Sequence, residues 1–346
     1  VTGVQTCALP ISWRRAERMS AIRAGWQRAA AAALGLVIAA AFGVGGPGLS
    51  ADAAIPAPLQ IGVAPAGAPV VNLVVMGDSY ASAAMPFDRG TLNALGAPSV
   101  CARGPAWPRL LAPTAFNITL THVSCSGATV PDLVDRRMRV GEPVQLQALS
   151  IATNLVMLGI GGNDAGFSEV FSACRQSDPA LCSDAAQRLA PRSAALAGTL
   201  VRLYESVLER APNALVVVVL YADSLPDPGA PGLDACPALR ATDDALSDTD
   251  LTILAEWGGA ITARVEEAVA TVASPRLRIA DLRDTFAGHR LCDPEPYQWG
   301  RDGEIPFHPN AAGHAALAEA LSHYLRSEEH TSELQSHSFI SYAVFC

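Results

Sequence analysis

A serine hydroxyl is a poor nucleophile until a base removes its proton, so nucleophilic acyl chemistry needs a serine and an imidazole within hydrogen-bond reach. The apolar run Val71-Asn72-Leu73-Val74-Val75-Met76 stops abruptly at Gly77-Asp78-Ser79-Tyr80, which reads as a buried strand ending in a tight turn. A parallel sheet presents its chemistry just past such strand ends, and Ser79 stands at that place. An Asp-Ser pair after a strand is also a common helix N-cap, and this stretch alone does not separate the two readings. Away from the two ends of the chain, the candidate bases are His122, His289, His308, His314 and His323. His308, in Phe307-His308-Pro309-Asn310, falls on a loop at the start of a helix, whereas His314 and His323 belong to that helix.

The negative charge that develops on a carbonyl oxygen under attack needs fixed donors, and small or amide residues at strand ends supply them. Two further strand ends carry such residues: Cys125-Ser126-Gly127-Ala128-Thr129, and Gly159-Ile160-Gly161-Gly162-Asn163-Asp164 after Asn154-Leu155-Val156-Met157-Leu158. Taken singly, Gly127 reads as a turn glycine and Asn163 as an Asx turn capping the next segment. Asp78 and Asp164 are expected to brace their turns and not to take part in chemistry.

Strands are expected at Val71 to Met76, Ile118 to Ser124, Asn154 to Gly159, Ala214 to Tyr221 and Leu277 to Asp281. Helices are expected over Pro108 to Ala112, Pro131 to Met138, Pro143 to Ser150 and Asp184 to Arg210, the last broken or kinked near Pro191, and over Leu246 to Val272 and Asn310 to Leu325. The proline-rich stretch Ser224 to Ala238 is expected as a long insertion over the site's rim. Strands alternating with helices make a parallel sheet covered on both faces, so the expected fold is α/β, a three-layer α/β/α sandwich with a central parallel sheet of about five strands.

Taken together, Gly77-Asp78-Ser79, a glycine after the next strand, Gly161-Gly162-Asn163-Asp164 and a late His308-Pro309-Asn310 resemble the GDSL or SGNH hydrolase family, in this order and over roughly Asn72 to Tyr324. The resemblance implies the flavodoxin-like SGNH hydrolase fold and a serine esterase or lipase acting through an acyl-enzyme on Ser79 with His308 as base. It also implies an oxyanion hole from the N–H of Ser79, the N–H of Gly127 and the side-chain amide of Asn163. The family's usual aspartate three residues before the histidine is replaced here by Ile305. Ser79 and His308 then form a dyad, as in the secreted, streptomycete-esterase-like branch, with the ring oriented by a main-chain carbonyl, expected to be that of Ile305. Asp302 and Glu304 are near enough in sequence to be rivals for that role. The turn lacks the second glycine of the G-x-S-x-G elbow, which argues against an α/β-hydrolase. A polysaccharide O-deacetylase of the same fold is the alternative enzyme, and a non-catalytic binding module is the alternative from another class. Phe87, Leu92 and Leu225, in loops after Tyr80 and Asp223, lean towards a lipid ester as substrate.

The chain has 346 residues, 50% of them hydrophobic, and a formal net charge of −9, with no lysine at all. Such acidity argues against nucleic-acid binding and favours solubility. The segments Arg326 to Ser336 and Val1 to Ile11 can be encoded by complementary DNA strands that resemble a sequencing adapter, so residues 1–18 and 326–346 are expected to be non-native. Residues 19–53 have an arginine-bearing start, an apolar alanine-rich run and a small-residue end at Ala51-Asp52-Ala53, the layout of a secretory signal peptide. An uncleaved N-terminal anchor is the alternative. Ala54 to Val70 is expected to be a linker, and residues 54–325 hold the hydrolase domain.

Of the eight cysteines, Cys7 and Cys346 lie in the excluded ends. An even remainder behind a signal peptide points to disulfides, and no C-x-x-C or Cys/His cluster points to a metal, so no metal or cofactor is expected. Cys174 and Cys182 flank a short polar loop and are natural partners. The family resemblance implies Cys101 with Cys125 and Cys236 with Cys292. The remaining expectations are a secreted, extracellular protein that is a monomer, takes a small-molecule or lipid ester, and has no stable membrane insertion after signal cleavage.

Overall fold

Extended backbone sends successive side chains to opposite faces, so a strand apolar at every position must be covered on both sides. A computed structural model of the chain describes residues 55, 57–61, 68–83, 101, 103–111, 117–135, 142–176, 178–239, 245–301, 303 and 306–326. Its strands are β1 (Leu59–Ile61), β2 (Val70–Gly77), β3 (Asn117–His122), β4 (Leu155–Gly159), β5 (Leu215–Val219) and β6 (Leu277–Ala280). They form one sheet in the order β1-β3-β2-β4-β5-β6. All neighbours from β3 to β6 run parallel, while β1 lies antiparallel on β3. The sheet therefore has six strands, one more than the five expected, because three residues of the Ala54 to Val70 segment add an edge strand.

The helices are α1 (Ser79–Ser82), α2 (Trp107–Leu110), α3 (Val130–Val134), α4 (Gly162–Ala165), α5 (Phe167–Cys174), α6 (Pro179–Arg210), α7 (Asp248–Val272) and α8 (Ala311–Arg326). One face of the sheet, with Val74, Met76, Val156 and Val216, packs on Leu200 and Leu203 of α6 and Leu254 and Ile261 of α7. The other, with Leu73, Val75, Met157 and Val217, packs on Trp107 of α2 and Leu317 and Leu321 of α8. This is the three-layer sandwich, and each fully buried Leu or Val adds roughly 1.5–3 kcal/mol to it.

Two segments depart most from the expected helices. α6 runs unbroken for 32 residues with Pro191 inside it. Leu189, Leu196, Leu200 and Leu203 anchor it on both sides of the proline, which outweighs the roughly 3 kcal/mol that an interior proline costs a helix. The segment Pro143 to Ser150 forms only a 3₁₀ turn, Gln145–Ala148. Disulfides join Cys101 to Cys125, Cys174 to Cys182 and Cys236 to Cys292. Leu225 packs against the core instead of standing free at the rim. Phe87, Leu92, Asp302, Glu304, Ile305, the 19–53 segment and residues 1–18 and 327–346 lie outside the described residues. Among the described residues no helix is long and apolar enough to cross a membrane.

Candidate active site

β2 ends against β4 so closely that only glycine fits at the turn. Gly77 has φ 134°, and a Cβ there would sit 2.3 Å from the carbonyl oxygen of Gly159. The buried side chain of Gln145 fixes the same residue through both of its peptide groups, its Oε1 accepting from Gly77 N–H at 2.8 Å and its Nε2 donating to Gly77 O at 3.0 Å. Asp78 then caps α1, Oδ1 accepting from the N–H of Tyr80 at 3.0 Å. The capping reading falls to Asp78, which leaves Ser79 as the first helical residue, free of that duty. Sequence reasoning had no signal for Gln145, which lies 68 residues from the turn it holds.

Ser79 Oγ lies 2.9 Å from Nε2 of His308. On the far side of the ring, Nδ1 lies 3.0 Å from the carbonyl oxygen of Pro306. A carbonyl only accepts, so the hydrogen is on Nδ1 and the bare Nε2 faces the serine. The carbonyl of Ile305, the expected acceptor, lies outside the described residues; among them the ring's acceptor is the carbonyl of Pro306. The cause is Phe307, whose φ of 62° is left-handed and folds the chain back so that the carbonyl two residues before His308 meets its ring. Such a conformation costs a non-glycine residue of order 1–3 kcal/mol and persists only where its surroundings enforce it. Here Trp299 does so, accepting from Phe307 N–H at 3.0 Å and donating its own N–H to His308 O at 2.9 Å. The hydroxyl of Tyr80 adds a bond to Phe307 O at 3.2 Å, tying the nucleophile turn to the histidine loop. Asn310 caps α8 by accepting from Gly313 N–H at 3.0 Å.

The third strand end supplies Asn163, whose Nδ2 donates to Ala128 O at 2.9 Å. An amide nitrogen carries two hydrogens, so one is left over. Arg192 holds this turn from outside, its Nη2 on Asn163 O at 3.1 Å and its Nε on Asp164 O at 3.0 Å. Asp164 accepts from Val130 N–H at 3.0 Å, which sets α3 against α4. Gly127 has φ 77° in the turn after β3. Among the described residues no acceptor faces the N–H of Ser79 or of Gly127. Tyr221 binds two of the three expected strand ends together, its hydroxyl donating to Asp78 Oδ2 at 2.6 Å and accepting from Gly162 N–H at 3.2 Å.

Residues 75–316 match the model of the GDSL-like Lipase/Acylhydrolase family. The chain belongs to this family. It is 31% identical to "Lipase 1" of Streptomyces coelicolor over 246 residues, covering 69% of this chain and 81% of the relative. Among solved structures it is similar to the extracellular lipase of Streptomyces rimosus, with a TM-score of 0.59 and 25% identity over 73% of this chain and 99% of that one. Phospholipase A1 of Streptomyces albidoflavus gives a TM-score of 0.57 and 25% identity over 73% and 98%. As a GDSL-like acylhydrolase, the protein is a carboxylic-ester hydrolase.

In this acylhydrolase two of the other histidines are engaged elsewhere. His289 stacks on Tyr297 with ring centres 3.9 Å apart, and His314 Nδ1 accepts from the backbone N–H of Trp107 at 3.4 Å. Burial pushes the Asp78 carboxyl up to about 6, against the pull of the Tyr221 hydroxyl and the Tyr80 N–H. Among the described residues one group has metal-ligand proximity, Cys174, Cys182 and Asp250. Its two sulfurs are joined to each other, and a disulfide offers no thiolate to a metal.

Burial also lowers the His308 imidazole below its ordinary 6.5, and the Pro306 carbonyl offsets this only in part. Because the neutral ring is the form that can accept a proton, the acid limb of kcat/KM is expected to have its midpoint below pH 6.5. Activity falls as pH drops through that midpoint. A pH profile on a soluble ester with an acid limb centred above pH 7 contradicts a half-buried, carbonyl-oriented base.

Proposed function

We propose that this acylhydrolase cleaves acyl-lipid esters through an acyl-enzyme on Ser79 with His308 as general base. The observation that carries the proposal is the single line of contacts from Ser79 Oγ through the His308 ring to the Pro306 carbonyl. In the first half-reaction, Nε2 takes the hydroxyl proton as Oγ bonds to the substrate carbonyl carbon. The oxyanion is received by the N–H groups of Ser79 and Gly127 and by the free hydrogen of Asn163 Nδ2. Collapse breaks the ester C–O bond, and the imidazolium returns its proton to the leaving alcohol. Water, deprotonated by the same Nε2, then attacks the acyl-serine and releases the carboxylic acid.

Named lipases and a phospholipase among the relatives support a lipid ester, and three disulfides support secretion. We read residues 19–53 as the signal peptide, residues 54–325 as the hydrolase domain and both outer segments as non-native. We read the protein as a monomer that needs no metal. Hydrolysis of p-nitrophenyl esters from acetate to palmitate, together with a phosphatidylcholine, tests this. A preference for longer acyl chains supports the lipase reading, whereas activity confined to acetyl groups and acetylated xylan reassigns the protein as a deacetylase.

A dyad predicts small effects from nearby carboxylates. Asp302→Ala and Glu304→Ala are each expected to lower kcat by no more than a few-fold. A fall of about 10⁴-fold in either, as when a triad aspartate is lost, makes that residue the third member.

A further inference from the structure

The last four carbonyls of a helix have no partner within it, and α1, with four residues, consists of nothing but ends. Its internal support is slight: the N–H groups of Ala81 and Ser82 both point to Asp78 O, at 3.3 and 3.0 Å. Yet its C-terminal carbonyls are met from outside. The indole Nε1–H of Trp107 donates to Tyr80 O at 3.1 Å. Nε2 of His122 lies 3.0 Å from Ala81 O, and Gly104 N–H donates to Ser82 O at 3.0 Å. Trp107 and His122 come from different elements, the start of α2 and the end of β3, and both are 3% exposed.

The state of His122 follows from its partners. A carbonyl cannot donate, so the hydrogen is on Nε2. The hydroxyl of Ser124, 2.6 Å from the same nitrogen, shares it. Nδ1 is then bare, and it has no partner among the described residues. Burial first, and then the nearby Arg103 and Arg109, hold the ring well below its ordinary value, which keeps it neutral. His122 is accordingly unsuited to be a second base: its one hydrogen is engaged on the peptide two residues after Ser79.

We propose that Trp107 and His122 are positioning residues for Ser79: by donating to the carbonyls of Tyr80 and Ala81 they fix the roll of α1, and with it the direction of Ser79 Oγ and N–H. The Asp78 cap fixes where α1 begins and Gly104 N–H holds its last carbonyl, but a turn held only at these two points can still roll between them. The two side-chain donors hold the carbonyls in between. This rests on Ser79 being the nucleophile. Misplacement of a reacting group by about 1 Å costs on the order of 100-fold in rate.

The test uses Trp107→Phe, which keeps the ring and removes the donor, His122→Leu, which removes the other donor, and His122→Gln, whose amide nitrogen restores one. For each, kcat and KM are measured on a soluble p-nitrophenyl ester, with the rate at which a fluorophosphonate labels Ser79, and folding is followed by near-ultraviolet circular dichroism. Trp107→Phe and His122→Leu are expected to lower kcat and the labelling rate about 10- to 100-fold, with KM within about two-fold of wild type. His122→Gln is expected to regain most of the kcat lost in His122→Leu. Folded Trp107→Phe with wild-type kcat and labelling overturns the proposal, as does a His122→Leu defect that glutamine does not repair. Should His122→Leu fail to fold, Trp107→Phe decides alone by the same two outcomes. A wild-type protein that neither labels nor turns over ester removes the nucleophile reading instead.

Discussion

Ser79→Ala is expected to lower kcat by on the order of 10⁵- to 10⁶-fold while leaving the fold intact. The size follows from what remains: without a nucleophile the variant keeps only substrate binding and oxyanion donors, which supply about 10³- to 10⁴-fold over water. The fold should survive because Oγ has no structural duty. The cap of α1 is the Asp78 carboxylate on Tyr80 N–H, the Ser79 hydroxyl is committed to His308, and a typical hydrogen bond contributes only about 1 kcal/mol net. Alanine is also the best helix former for the vacated position. Turnover, fluorophosphonate labelling and thermal unfolding measured together decide the matter. A variant that labels as wild type does shows that the nucleophile lies elsewhere.

The groups proposed to touch the reacting atoms are legible in the sequence because each ends a strand or opens a helix, where local patterns are strongest. Gly77, Asp78 and Ser79 follow an apolar run; Asn163 follows another; His308 precedes a helix and a Pro-Asn pair. The residues that hold those groups were not legible. Gln145 and Tyr221 reach turns 68 and 143 residues away, and nothing local marks a glutamine or tyrosine for such a duty. Trp299 was hidden for a related reason, since its role depends on a left-handed Phe307 that no propensity foretells. That same kink brings the carbonyl of Pro306 to the ring. β1 escaped notice because it is three residues long with two of them exposed, too short for a period-two pattern to register. The helix through Pro191 shows the opposite failure: a strong local signal, overridden by the packing of its flanks.

Asn163→Ala is expected to lower kcat about 100- to 1000-fold, roughly 3–4 kcal/mol, with little change in KM, the range for losing one oxyanion donor. Binding is spared because the donor serves charge that appears only during attack, and an interaction made only in the transition state enters kcat alone. The substitution also removes the bond from Asn163 Nδ2 to Ala128 O, so a purely structural role predicts something else: loss of stability with normal turnover of the folded fraction. The turn itself has independent supports that alanine leaves in place, namely Arg192 on the carbonyls of Asn163 and Asp164 and Tyr221 on Gly162. Asn163→Asp sharpens the contrast, because it keeps the side chain's shape but replaces the donor by an acceptor. At neutral pH it should be at least as inactive as Asn163→Ala, since a carboxylate oxygen repels both Ala128 O and the developing oxyanion. Recovery of kcat in Asn163→Asp, or a rise in KM with normal kcat in Asn163→Ala, assigns this side chain to shape or to substrate binding and leaves the oxyanion to the two main-chain donors.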